Sequence, residues 1–153
     1  MNSQRWIFVI KSVRKPGVMK SITGVFADWG VSLETAMLNA GDTEGSDGIV
    51  ILSFGSNLRK REILERNIRR LSRVNELRSY PYETEKLRMI AACTVDEICV
   101  LEEDKKIDIE VHARKDHSKQ VYLSGTVKDV DAYITPMIKR KDIREMVRTI
   151  LTT

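Results

Sequence analysis

Between a Pro16-Gly17 turn and the glycine at position 30, Val18, Ile22, Val25, Phe26 and Trp29 recur at i, i+4, i+7, i+8 and i+11. That spacing predicts a helix from Val18 to about Trp29 with a single apolar face, which must be buried against something. Gly17 permits a tight entry and brings backbone N–H groups close to whatever lies above the helix start. Gly30, just past the last periodic residue, is placed to stop the helix. Apolar β-formers flank the unit: RWIFVIKSV (Arg5–Val13) before the turn and VSLETAML (Val31–Leu38) after the stop. The stretch therefore reads as strand, tight loop, helix, strand. Its head is an anion-friendly turn, and Phe26 and Trp29 are assigned to the core.

The rest of the chain repeats this logic. Asn39–Gly48 is a cluster of glycines and short polar residues, so a turn. Gly48–Phe54 (GIVILSF) is a near-continuous apolar run, so a central strand. Ser56 or Asn57 can cap a second helix whose inner stripe is Leu64, Ile68 and Leu71, with Ile63 alongside. Val74–Tyr82 closes with a strand through Leu77, Tyr80 and Tyr82, and Pro81 places that strand at an edge or at its own end. The order βαββαβ is that of a ferredoxin-like sandwich, helices on one face of an antiparallel sheet. One sheet face is left bare, so pairing with a second copy is the physical expectation.

Beyond a charged joint at Glu83–Lys86, Leu87–Thr94 reads as a strand. Val95–Lys106 is compatible with a short helix or with a strand. Ile107–Ala113 and Gln120–Thr126 alternate and pair as a hairpin across Arg114–Lys119. Asp129–Ile138 is helical through Val130, Ile134, Met137 and Ile138, with Pro136 set to kink or shorten it. Ile143–Leu151 supplies a last strand. The expected fold is α+β: two tandem ferredoxin-like βαββαβ domains, residues 1–83 and 84–153, the second with a shortened first helix.

Composition narrows the function. With 42% hydrophobic and 31% charged residues the chain is globular rather than disordered. No stretch approaches the ~20 apolar residues of a bilayer span, so no membrane association is expected. Arg5 is followed by only a short apolar run, which is no signal peptide, and a cytoplasmic location is expected. The net charge of +4 is concentrated in Leu58–Val74, with seven basic and two acidic residues. Such a helix can face phosphates or simply form a solvated outer face. The 6% aromatic content gives nucleic acid no second argument. Cys93 and Cys99 read as buried reduced thiols, and His112 and His117 as a strand and a hairpin-turn residue rather than metal ligands. No nucleophile–base pair, phosphate-cradling glycine loop or framed carboxylate pair is present. No catalytic residue, metal or cofactor is expected.

Lys15-Pro16-Gly17-Val18, Ile22-Thr23-Gly24-Val25-Phe26 and Trp29-Gly30-Val31-Ser32-Leu33-Glu34 resemble the ACT domain, a small-molecule-binding regulatory module. A likeness spanning both halves is to the small regulatory subunit of acetolactate synthase. It rests on Ala40-Gly41-Asp42-Thr43-Glu44, Asn67-Ile68-Arg69-Arg70-Leu71-Ser72-Arg73-Val74, Leu123-Ser124-Gly125-Thr126, Val130-Asp131-Ala132-Tyr133-Ile134 and Ile143-Arg144-Glu145-Met146-Val147-Arg148-Thr149, in that order. The resemblance implies a non-catalytic homodimer that binds a thiamine-dependent catalytic subunit, raises its activity and transmits feedback by branched-chain amino acids. It implies an effector site at the dimer interface, with Arg14, Gly17, Val18 and Met19 from the loop of one subunit and Ser32 from a strand start of the other. Arg14 and Ser32 stand where that family usually carries asparagines. Arg14 can hold a carboxylate bidentately, which opens the pocket to a more acidic ligand. The alternatives are a stand-alone ACT sensor acting on another enzyme or a transcription factor, and a nucleic-acid-associated regulator using the Arg59–Arg73 face.

Overall fold

The computed structural model describes residues 3–39 and 47–152. The turn cluster expected at Asn39–Gly48 therefore lies mostly outside the described residues. The chain forms two compact units, Met1–Tyr82 and Glu83–Thr153, each built on a four-stranded antiparallel sheet. The fold is α+β, two ferredoxin-like units in tandem.

In the first unit, β1 (Gln4–Ser12) leads into α1 (Val18–Asp28), β2 (Leu33–Asn39), β3 (Gly48–Ser56), α2 (Leu58–Arg69) and β4 (Val74–Pro81), and the sheet order is β2-β3-β1-β4. The central pair β1/β3 sets Trp6 against Phe54, Phe8 against Leu52 and Ile10 against Val50. These residues share one sheet face with Leu77 and receive Val18, Ile22 and Phe26 of α1 and Leu64 and Ile68 of α2. Phe54 lies edge-on to both Phe8 and Phe26, with ring centroids 4.8 and 4.9 Å apart, the arrangement that aromatic quadrupoles favour. Asn57 is the residue that caps α2, its Oδ1 accepting from the Lys60 N–H at 2.8 Å. β4 is an edge strand and Pro81 ends it, where a missing N–H costs no ladder bond.

One core assignment is corrected. Phe26 is 1% exposed, but Trp29 is 42% exposed. Trp29 is the C-cap, with φ −102° and ψ 8°, so the backbone has left the helix before the i+11 position. Gly30 (φ +65°) then turns the chain, and Val31 N–H closes back onto the Phe26 carbonyl at 2.9 Å.

The second unit comprises β5 (Arg88–Asp96), β6 (Asp108–Ala113), β7 (Ser118–Thr126), α3 (Val127–Lys139) and β8 (Ile143–Leu151), in sheet order β6-β7-β5-β8. The same order holds in both sheets: the unit's first strand sits between its third and its fourth. Met89, Ala91, Cys93 and Val95 of β5 and Val121 and Leu123 of β7 are buried, as are Val127, Val130, Ile134 and Met137 of α3. Thr126 Oγ1 caps α3 by accepting from Asp129 N–H at 3.1 Å. α3 runs on through Pro136 to Lys139. Proline forfeits one i→i−4 bond only one turn before the C-cap, and the last-turn bonds from Arg140 and Lys141 are made regardless.

The first helix of this unit has shrunk to a turn at residues 97–98. The connection from β5 to β6 is otherwise extended, and the chain anchors it piecewise. Cys99 N–H reaches the Asp96 carbonyl at 3.0 Å, Lys119 Nζ donates to the Cys99 carbonyl at 3.0 Å, and Tyr133 Oη donates to the Glu102 carbonyl at 2.7 Å. Cys99 and Ile107 are buried, whereas Ile98 and Val100 are 89% and 81% exposed. The apolar residues of this stretch thus alternate in and out, and no continuous helical stripe exists to be buried.

Candidate functional site

The Pro-Gly turn joins β1 to α1 and carries four of the five residues expected to bind a ligand. Arg14, Gly17, Val18 and Met19 all line one cavity of about 380 Å³. Ser12 and Val13 form its floor at the end of β1, and Leu38 and Gly48 close it from β2 and β3. β1 and β3 are in register at Ser12 and Gly48, so the cavity sits at one end of the sheet. Ser32 is exposed just before β2, beyond the other end of that strand. Leu33 pairs with Phe54 while Leu38 pairs with Val50, which separates them by roughly 17 Å at ~3.3 Å per residue. Within one chain, Ser32 does not join the other four.

Gly17 is the N-cap of α1, with φ +85° and ψ −3°, a left-handed conformation that side-chain-bearing residues adopt at a cost. Ser21 N–H and Ser21 Oγ both donate to the Gly17 carbonyl, at 3.0 and 3.1 Å. No side chain caps the helix start and no acidic residue lies in the first turn, so the first N–H groups keep no intrahelical partner and the helix end favours an anion.

The turn is gripped from outside by a residue that pattern reading assigns only to a basic helix face. Arg73, between α2 and β4, receives the Val13 N–H on its own carbonyl at 2.8 Å and donates its Nη1 to the Pro16 carbonyl at 2.5 Å. The same Nη1 would lie 3.1 Å from a Cβ added to Gly17. Arg73 also lines a second cleft of about 280 Å³ with Ser21, Ile22, Leu71 and Ser72. Nothing local in the sequence links positions 16 and 73; only the pairing of β1 with β4 brings them together.

The charges divide into engaged and idle ones. On α2, Arg61 and Arg69 hold Glu65 at 2.7 and 2.9 Å, and Arg69 also donates to the Leu77 carbonyl. Arg61 and Arg69 are thus engaged within the unit. Among the described residues, the side chains of Arg14 and Lys15 make no ion pair or hydrogen bond. His112 pairs with Glu110 at 2.8 Å and His117 with Glu97 at 3.2 Å. Among the described residues no group of three or more His, Cys, Asp or Glu is placed to hold a metal, and no helix is long and apolar enough to cross a membrane. Burial pushes the Cys93 thiol up to about 11, so it stays protonated and unreactive at neutral pH.

The chain is thus two ferredoxin-like, ACT-like units in tandem, the first with a cavity at the Pro-Gly turn that heads its first helix. No protein-family model matches the sequence, and no curated protein sequence matches it. In structure the chain resembles the acetolactate synthase small subunit. The crystal structure of that subunit from Thermotoga maritima aligns over 97% of this chain and 95% of its own, with a TM-score of 0.66 at 19% identity. The ACT domain of GTP pyrophosphokinase from Chlorobium tepidum aligns over 52% of this chain and 100% of its own (TM-score 0.44, 21% identity). The regulatory subunit of aspartate kinase from Thermus thermophilus aligns over 89% and 91% (TM-score 0.47, 12% identity). At these identities the likeness is one of fold.

Proposed function

We propose that this chain is a non-catalytic regulatory protein that captures a small amino-acid-type effector beneath its Pro-Gly turn and modulates a partner enzyme. One observation carries the reading: Arg14, Gly17, Val18 and Met19 line a single cavity whose apolar walls come from Val13, Val18, Met19 and Leu38 and whose lining holds two cations, Arg14 and Lys15, with no partner among the described residues. A cavity of about 380 Å³ is of the size that takes small ligands. Ser32 lies at the far end of β2, so it reaches such a site only from a second copy, which supports a homodimer with the effector at the interface. Residues 1–83 form the sensor and 84–153 a second, degenerate module, in a cytoplasmic assembly. By likeness to the acetolactate synthase small subunit, the partner is a thiamine-dependent catalytic subunit. Ligand capture across the interface favours one dimer geometry, and that geometry biases the enzyme.

Thermal denaturation of the chain in the presence of each of the twenty amino acids tests the reading. A ligand that binds only the folded state raises its midpoint by mass action, and a rise of a few degrees identifies the effector class. If no small carboxylate moves the midpoint, the sensor assignment falls. The presence of Arg14 and Ser32 in place of two amides favours a second reading, a stand-alone sensor with a different enzyme partner. Co-purification of a large thiamine-dependent subunit selects the first reading, and its absence selects the second.

A further inference from the structure

The sheet of the second unit buries one face under α3 and leaves the other open. Ala92 sits near the middle of the open face, paired with Tyr122 on one side and Val147 on the other, and Ile90 and Leu151 follow on the same face. Tyr122, Ile90 and Leu151 are exposed there, and Val147 is 70% exposed. The ionisable groups of this face stand on the edge strands, as Glu110, His112 and Glu145 do, or at the ends of β5, as Arg88 and Asp96 do. Thr94 Oγ1 donates sideways to Gln120 Oε1 at 3.0 Å, so that hydroxyl keeps its partner when the face is covered. A neutral field within a charged margin is the anatomy of a protein interface.

Two features favour a second copy of the chain as its occupant. The first is size. Bulky Tyr122 and small Ala92 are directly opposed on the two central strands of the order β6-β7-β5-β8. A two-fold axis between stacked sheets, parallel to the strands and midway between β7 and β5, lays each Tyr122 over the Ala92 of the other copy. The second is polarity. The same axis lays β6 over β8, and His112 and Glu145 share one register row through Gln120 and Thr94. His112, whose Nε2 is paired with Glu110 at 2.8 Å, thereby brings its ring to Glu145 of the other copy. Strands of six to nine residues, four abreast at ~4.8 Å and rising ~3.3 Å per residue, give a footprint on the order of 500 Å² per copy, or about 1,000 Å² in all, the area a specific dimer requires.

We infer that the open sheet face of the second unit is a self-association surface on which two copies stack, Tyr122 of each over Ala92 of the other. The inference is independent of the sensor reading, whose effector interface belongs to the first unit.

Sedimentation of the full chain from about 1 to about 300 μM, with the dissociation constant of the dimer fitted, tests it. Val147→Asp places a carboxylate in the covered field of each copy and is expected to weaken the dimer at least about hundredfold. Ile98→Asp, also exposed but in the turn at residues 97–98 and outside this face, is expected to leave the constant within about threefold. Tyr122→Ala and Ala92→Tyr should each weaken the dimer about tenfold, and the double variant, which exchanges the pair, should recover to within about threefold of the wild type. Circular dichroism and melting midpoints establish that the variants are folded. A dissociation constant that Val147→Asp leaves unchanged overturns the inference and gives the face to a different protein. A double variant as weak as its parents overturns it too, because Tyr122 then does not lie over Ala92. A wild-type chain that is monomeric at about 300 μM overturns it outright.

Discussion

The two units share a strand order and differ in one crossover. In the first, β1 enters α1 through a Pro-Gly turn; in the second, β5 enters an extended connection anchored by Lys119, Tyr133 and Asp96. The sheet of the second unit loses a helix's cover and retains a buried core, because Cys99 and Ile107 reach inward from the connection and α3 supplies Val130, Ile134 and Met137. The fold thus survives the loss of one helix. The first unit's cavity depends on the part that the second unit lacks: four of its lining residues belong to the turn Arg14–Gly17 and two more to the first turn of α1. A sandwich of this kind needs its sheet face covered to fold, and a turn and a few inward side chains can supply that cover in place of a helix.

The comparison can be tested with two separate probes, since both tryptophans, Trp6 and Trp29, lie in the first unit and both cysteines, Cys93 and Cys99, in the second. The largest effect is expected for Phe26→Ala, which empties one of three packed rings and costs ~3–5 kcal/mol. The tryptophan-monitored urea transition should move to lower denaturant while Cys93 labelling keeps its rate. Synchronous movement of both would show that the units do not stand independently.

Next is a pH effect confined to the second unit. Burial raises the Cys93 thiol from 9.0 to about 11, so between these values the folded form holds a proton that the unfolded chain has released. Its contribution to stability is complete below pH 9 and is lost as the pH rises towards 11. Denaturation followed by thiol exposure should show that decline, and Cys93→Ala should reduce it.

The caps allow a matched pair. Asn57→Ala and Thr126→Ala should each cost ~1 kcal/mol, each seen only by the probe of its own unit. Arg73→Ala frees the Pro16 carbonyl and should raise hydrogen exchange of the Lys15 amide, which donates to the Val13 carbonyl at 3.1 Å, about fivefold. Arg70→Ala, at the C-cap of α2, should leave that amide unchanged. The smallest effect belongs to Ile98→Ser: at 89% exposure the change should stay within about 0.5 kcal/mol, whereas a buried helix stripe at this position would make it costly.

What was legible in the sequence follows from how local each signal is. The α1 stripe, the α2 cap at Asn57 and the last strand Ile143–Leu151 are written in neighbouring residues, and the structure has them. Arg14, Gly17, Val18 and Met19 came from the resemblance to the acetolactate synthase small subunit, and they share one cavity because they lie within six consecutive positions. Trp29 was misplaced because periodicity continues past the residue at which the backbone unwinds. Val95–Lys106 was ambiguous because its apolar residues satisfy two periods at once, and the outcome depends on side chains of β7 and α3 that hold its carbonyls. Arg73 was invisible as a site residue, since its partner Pro16 is 57 positions away and only strand pairing brings them together.

Gly17 is fixed by its φ of +85°, which side chains rarely adopt, whereas the Arg73 Nη1 that would stand 3.1 Å from a Cβ built on it is the end of a flexible side chain. Backbone conformation alone makes a replacement at this position strained. The residues around it are under no such strain: Arg14, Lys15, Met19 and Leu38 stand on backbone that need not move when they are exchanged. Change in the shape and charge of this cavity is therefore channelled into its walls, while the frame stays the same.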